Sequence, residues 1–118
     1  MLRILIIDSN KHFTQALNYI VKKAYGDVNI LTAERSGDLQ KISDEIIDIN
    51  VVFLDLDIPG ENGLEIIKQL RSVNKQAVIV ALSFFDEPNV KETVLSNGAN
   101  MYVLKDNVSS PILQEILT

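Results

Sequence analysis

Val51-Val52-Phe53-Leu54-Asp55 is an unbroken apolar run that stops at a carboxylate, and Asp57-Ile58-Pro59-Gly60-Glu61-Asn62-Gly63 behind it carries the Pro-Gly punctuation of a loop. A strand with no polar alternation needs cover on both faces, which is the demand of a parallel sheet wrapped by helices. Three further runs are likewise closed by one polar side chain: Leu2 to Ile7 end at Asp8, Ala77 to Leu82 at Ser83, and Met101 to Leu104 at Lys105. If these runs lie parallel, two carboxylates, a hydroxyl and an ammonium gather at one edge, outside the carboxyl ends of the strands, where open α/β sheets bind their ligands.

Between the runs, apolar residues recur at helical spacing. Phe13, Ala16, Leu17, Ile20, Val21 and Ala24 form one stripe and predict a helix. Val28 to Ala33 reads as a further strand, and Ser36 as the N-cap of a helix buried through Leu39, Ile42 and Ile46. Leu64, Ile66, Ile67 and Leu70 restart a helix after the loop. Pro88 suits a first helical position, and Ser110-Pro111 repeats the pattern as N-cap and N1, with Ile112, Leu113, Ile116 and Leu117 behind it. The segment after Pro88 has a thin apolar face, mainly Val90 and Val94, so loose packing is expected there. Five strands alternating with five helices predict an α/β fold with a doubly wound parallel sheet, because right-handed crossovers place helices on both faces.

A chain of 118 residues suits one domain, 1–118. The last helix stops at Thr118 after about two turns, shorter than the average of roughly three, which suggests a chain cut from something longer. With no Cys, nothing suggests a disulfide scaffold or a thiolate zinc site; a cytoplasmic location is the expectation. The apolar runs fall well short of the roughly 18 residues of a membrane span, and Met1-Leu2-Arg3-Ile4 enters a strand without the parts of a secretory signal. A net charge of -5 argues against this chain binding nucleic acid by itself.

A carboxylate ending a buried strand beside a second carboxylate can hold a hard cation such as Mg2+, and can act as a nucleophile toward phosphorus. Phosphoryl transfer asks for an in-line nucleophile, a metal, and donors that stabilise charge on the transferred oxygens. Asp55 is the candidate nucleophile, with Ser83 and Lys105 as the donors. Taken singly, each has a plainer explanation: Asp55 as a turn cap, Lys105 as a strand-end surface lysine, Tyr102 as a half-buried strand aromatic. Four matched strand ends together shift the weight toward chemistry.

These residues resemble the receiver domain of two-component response regulators over essentially the whole chain. The likeness rests on Ile7-Asp8, on Leu54-Asp55-Leu56-Asp57-Ile58-Pro59-Gly60 with Gly63 following, on Leu82-Ser83, and on Gly98-Ala99-Asn100-Met101-Tyr102-Val103-Leu104-Lys105. It implies a flavodoxin-like (βα)5 sheet with strand order 2-1-3-4-5. It further implies that Asp55 accepts phosphate from a sensor histidine kinase or a phosphotransfer protein. Mg2+ would be held by Asp55, Asp8 and the backbone carbonyl of Asp57, while Lys105 would pair with the phosphoryl group. In the family the hydroxyl matching Ser83 swings toward the phosphate and the aromatic matching Tyr102 turns inward, remodelling a partner-binding face.

Ser9 departs from that pattern, since the family usually has two adjacent acids there and the second is the direct metal ligand. A hydroxyl is a weaker ligand, so Mg2+ affinity is expected to fall without vanishing, because Mg2+ accepts water in open positions. Asp57 either approaches the ion and replaces part of the lost charge or is a solvated loop aspartate. Lys105-Asp106 and the start Asp8-Ser9-Asn10-Lys11-His12-Phe13 are similar to the subgroup joined to helix-turn-helix effectors, which implies a DNA-binding domain C-terminal to this chain. Phe85 falls where the family's side chains flank the phosphate, and a ring there predicts a long-lived acyl phosphate. Phe84 reads either as apolar surface for a partner or as core packing, and His12 as a surface residue.

Three functions compete. The first is a signalling switch with Asp55 as phosphoacceptor and no substrate turnover. The second is a phosphate-independent receiver acting as an interaction or dimerisation module, for which Ser9 is the main support. The third is a phosphatase, because Asp55-Leu56-Asp57 resembles the Asp-x-Asp of haloacid dehalogenase-type enzymes; Pro59 and the lack of room for a substrate cap speak against it. The switch is the favoured expectation, and a homodimer is left open.

Overall fold

The apolar runs form one parallel sheet because none has a polar face to offer solvent. In this computed structural model, which describes residues 1–117 without the side chains of Ser110 and Leu117, the strands are Leu2–Ile7 (β1), Val28–Ala33 (β2), Val51–Asp55 (β3), Val78–Ser83 (β4) and Met101–Leu104 (β5). They lie in the order β2-β1-β3-β4-β5, the arrangement the resemblance implies. The readings of Leu117 as a core residue and of Thr118 as a chain end fall outside the described side chains and residues.

Two cores follow from the two covered faces. One sandwiches Ile4, Ile6, Val51, Phe53, Val80 and Leu82 of the sheet against Leu17 and Val21 of α1 (Lys11–Tyr25) and Leu113 and Ile116 of α5 (Ser110–Leu117). The other places Leu5, Ile7, Val52, Leu54, Ile79 and Ala81 beneath Leu39, Ile46, Ile66, Ile67, Leu70 and Val94. Those come from a 3₁₀ helix, Ser36–Ile42, that runs into the single turn of α2 (Ser43–Ile46), and from α3 (Gly63–Val73) and α4 (Pro88–Ser96).

Local chemistry sets where the helices begin. Asn10 caps α1 by accepting from Phe13 N at 3.1 Å, and Asn62 caps α3 by accepting from Glu65 N at 3.2 Å. Pro88 opens α4, whose fully buried contribution is Val94, with Val90 half-buried, as the thin stripe predicts.

Three expectations are corrected. Ala16 is exposed: it lies about a quarter-turn from the centre of the stripe, where a methyl does not reach the sheet. Ser36 is the first residue of the 3₁₀ helix and not its cap. Asp38 Oδ2 takes the capping role, accepting from Glu34 N at 3.1 Å and Arg35 N at 3.3 Å, while Ser36 donates through Oγ and N to the two Glu61 carboxylate oxygens at 2.7 and 3.1 Å. Ser110 is already helical, and the first backbone bond of α5 runs from Leu113 N to Ser109 O at 2.9 Å, which moves the cap position one residue earlier. No helix among the described residues is long and apolar enough to cross a membrane.

Candidate functional site

Parallel register brings the strand ends together. Ile7 stands opposite Leu54, Asp55 opposite Leu82, and Ser83 opposite Leu104, so Asp8 and Asp55 share a row and Ser83 and Lys105 close the same edge. Buried polar or charged residues among those described are Asp8, Asp55, Ser83, Lys105 and Asn74, and only Asn74 lies away from this edge. Burying charge is costly unless it is paired, and the pairing is present. Lys105 Nζ lies 2.8 Å from Asp8 Oδ2 and 3.4 Å from Asp55 Oδ2.

Each carboxylate is also held by backbone. Asp8 Oδ1 accepts from Asn10 N at 2.8 Å and Asp55 Oδ1 accepts from Asp57 N at 2.8 Å. Asp8 Oδ2 has no aligned hydrogen-bond donor, so its contact with Lys105 is one of charge at close range. One lysine serving two acids leaves the edge short of positive charge. Burial pushes the Asp55 carboxyl up to about 6, and the Asp8 charge pushes the same way against the Asp57 N–H and Lys105.

The end of β4 is tied to the loop after β3. Asp57 Oδ2 accepts from Ser83 Oγ and from Phe84 N, each at 3.2 Å, and Phe85 N donates to Ser83 Oγ at 3.1 Å. Asp57 is exposed, yet its carboxylate is engaged across the mouth of the site. Tyr102 is half-buried against the core beneath α2 to α4, and its hydroxyl donates to Phe85 O while accepting from Glu87 N at 3.4 Å. It therefore meets the same loop that follows Ser83. Ser9 is half-buried next to Asp8, and His12 is exposed on the first turn of α1.

Two rings missed by sequence reasoning complete the site. Lys105 Nζ lies 4.5 Å from the centroid of Phe13 and 4.6 Å from that of Phe84. Phe13 reads from its spacing as core and Phe84 as either surface or core. The available signal was their nearness in sequence to Asp8 and Ser83. Phe85, by contrast, is exposed and contributes its backbone.

Asp8 and Asp55 are the two carboxylates that meet at this edge, each within 3.4 Å of the Lys105 ammonium. No cluster of three His, Cys, Asp or Glu side chains among the described residues could hold a metal ion. Two carboxylates nonetheless fit Mg2+, which keeps several waters and takes one or two carboxylates plus phosphate oxygens rather than an all-protein cage. The upward push of Asp8 on Asp55 is a repulsion that a divalent cation would relieve.

Comparison with known proteins shows the family and the fold. The response regulator receiver domain family matches residues 4–117. The nitrate/nitrite response regulator protein NarL of Escherichia coli (strain K12) is 28% identical over 113 residues, covering 96% of this chain and 52% of the relative. The chain thus spans about half the length of that curated relative. A DNA-binding response regulator of the LuxR family from Staphylococcus aureus superposes with a TM-score of 0.81 at 28% identity, covering 99% of this chain and 96% of the other. A response regulator from Burkholderia pseudomallei, solved with a phosphorylated aspartic acid, calcium ion and citrate, shares the fold at TM-score 0.83 and 19% identity over 100% of this chain and 67% of its own. With a family match over nearly the whole chain and the strand order to go with it, this chain belongs to the response regulator receiver domains of two-component systems.

Proposed function

We propose that Asp55 is the phosphoacceptor of this receiver domain. A sensor histidine kinase or phosphotransfer protein presents a phosphohistidine; an Asp55 carboxylate oxygen forms the new P–O bond, the P–N bond breaks, and the imidazole leaves. Lys105 neutralises charge on the transferred group, and Ser83, once released from Asp57, donates its hydroxyl to it. Tyr102 then carries the change to a partner face through the loop at Phe85. Receiver domains are signalling domains, and on this reading Asp55 is modified without turnover of a separate substrate.

The observation that carries this reading is the trio of buried charges, Asp8, Asp55 and Lys105, at the carboxyl edge. Mg2+ bound by Asp8, Asp55 and the Asp57 carbonyl would supply positive charge to the oxygens of the incoming phosphoryl group. Ser9 adds no charge to that set, so weak affinity is expected. The Burkholderia pseudomallei relative, with its phosphorylated aspartic acid and calcium ion, supports the assignment by analogy of fold.

The chain is further proposed to be one receiver unit, 1–118, of a longer cytoplasmic regulator with a DNA-binding effector domain C-terminal to it. The name of the Staphylococcus aureus relative and the half-length coverage of NarL support this. A net charge of -5 leaves the DNA contact to that other domain.

A second reading, a phosphate-independent interaction module, draws on the neutral Ser9 and on Asp57 already occupying the Ser83 hydroxyl. Intact mass after incubation with phosphoramidate and Mg2+ separates the two. The expected result is a phosphate-sized gain in wild type, none in Asp55→Asn, and a larger gain in Ser9→Asp. No gain in wild type at high Mg2+, together with a dimer by sedimentation, would instead favour the interaction module.

A further inference from the structure

Lysine carries its charge on a flexible four-carbon stem and, unlike arginine, has no rigid fork to hold its geometry. Lys105 is nonetheless sealed in, with 1% of its side chain exposed, and its two carboxylate contacts leave other faces of the ammonium without an oxygen partner. Those faces meet rings. Phe13, from the first turns of α1, and Phe84, the residue after β4, come from separate elements and approach Nζ at nearly equal distance, 4.5 and 4.6 Å. An aromatic face attracts a cation through its quadrupole, and more strongly where water is excluded.

Core packing does not account for Phe84. The residue is 45% exposed, so apolar burial gives it little reason to lie where it does. Its backbone is held instead, since Phe84 N donates to Asp57 Oδ2 at 3.2 Å, anchoring the residue at the mouth of the site.

We infer that Phe13 and Phe84 are positioning residues that clamp the Lys105 ammonium between their faces, fixing it against Asp8 and Asp55 and keeping water off it. The kinetic consequence rests on the phosphoacceptor reading; the clamp itself does not. Held this way, the ammonium is in place before a phosphoryl group arrives, and preorganised charge of this kind is what stabilises developing charge in a transition state.

The test compares wild type with Phe84→Leu, Phe84→Trp and Phe13→Leu. Leucine keeps apolar bulk but removes the ring, so a merely structural role would tolerate it, while tryptophan keeps a cation-binding face. The first readout is the 1H–15N signal of the Lys105 ammonium at low temperature, visible only where its protons exchange slowly with water. The second is the initial rate of mass gain with phosphoramidate and Mg2+. Wild type and Phe84→Trp should show the ammonium signal. Both leucine variants should lose it, with the rate falling ~5- to 10-fold in Phe84→Leu. Absence of the signal in wild type, or its persistence in both leucine variants, overturns the clamp. Loss of the signal with an unchanged rate overturns the positioning role. A ring-dependent signal without mass gain in wild type overturns the phosphoacceptor reading and leaves the clamp standing.

Discussion

At the amino edge of the sheet Arg71 directs its guanidinium wholly at neutral oxygens, whereas at the carboxyl edge Lys105 is set between two carboxylates and two rings. Arg71 donates from Nε and Nη2 to Gly98 O at 3.1 and 2.7 Å, from Nη2 to Asn100 Oδ1 at 2.8 Å, and from Nη1 to Ala77 O and Asn74 O at 2.8 and 3.2 Å. Every N–H of the group finds a partner. Gly98 permits that approach, because its φ of +121° suits glycine and a Cβ there would come within 3.3 Å of the Arg71 side chain. Beside it, buried Asn74 donates to Ile46 O and Ile49 O at 2.8 and 2.9 Å and accepts from Gln76 N and Ala77 N at 3.0 and 2.9 Å. The carboxyl edge has the opposite character: two acids share one lysine, and burial raises one of them. Polar groups that satisfy one another hold the fold, while polar groups left in tension are available for chemistry.

If that contrast is right, damage at the amino edge should cost stability and spare chemistry. Asn74→Ala removes the hydrogen bonds to the carbonyls of Ile46, Ile47 and Ile49 and those from Gln76 N and Ala77 N, so urea denaturation should show a loss of about 3 kcal/mol, with the phosphoramidate-dependent mass gain kept in the cold. A loss of stability below ~1 kcal/mol would mean that the amino edge is not the structural one.

The carboxyl edge should respond with the reverse sign. Asp55 has a folded-state pKa raised from 3.8 to about 6. The folded protein therefore binds a proton that the unfolded chain releases, and stability falls as pH rises through that window. Asp55→Asn removes this cost. It should be more stable than wild type by about 1 to 2 kcal/mol at pH 7, discounted for solvent that reaches the mouth of the site. The difference should shrink toward zero as pH falls well below 3.8, where the acid is neutral in both states. Equal stability of the two proteins at pH 7 would remove the tension from the comparison.

How far the chain could be read in advance follows the same physics. Val51 to Leu54 and the other apolar runs announce buried parallel strands, and parallel pairing then lines up their final residues. Asp8, Asp55, Ser83 and Lys105 could be grouped for that reason from the sequence. What escaped depends on distance across the fold. Ser36 looks like a cap until Glu61, 25 residues away, takes its hydroxyl. Asp57 could be weighed as a ligand or a solvated loop residue, but its grip on Ser83 and Phe84 spans two strands. Phe13 fits a helical stripe so well that its ring over Lys105 leaves no periodic trace. Arg71 gave only the weak signal of a cation in the last turn of a helix.

The most direct test is an amide chemical-shift map of the protein before and after phosphoramidate and Mg2+, with Asp55→Asn as control. The expected result is movement of the amides of Asp57, Ser83, Phe84, Phe85 and Tyr102 in wild type alone, with those around Arg71, Asn74 and Asn100 still. Unchanged amides at the carboxyl edge, or changes of the same size in Asp55→Asn, would contradict the assignment of Asp55 as the group that throws the switch.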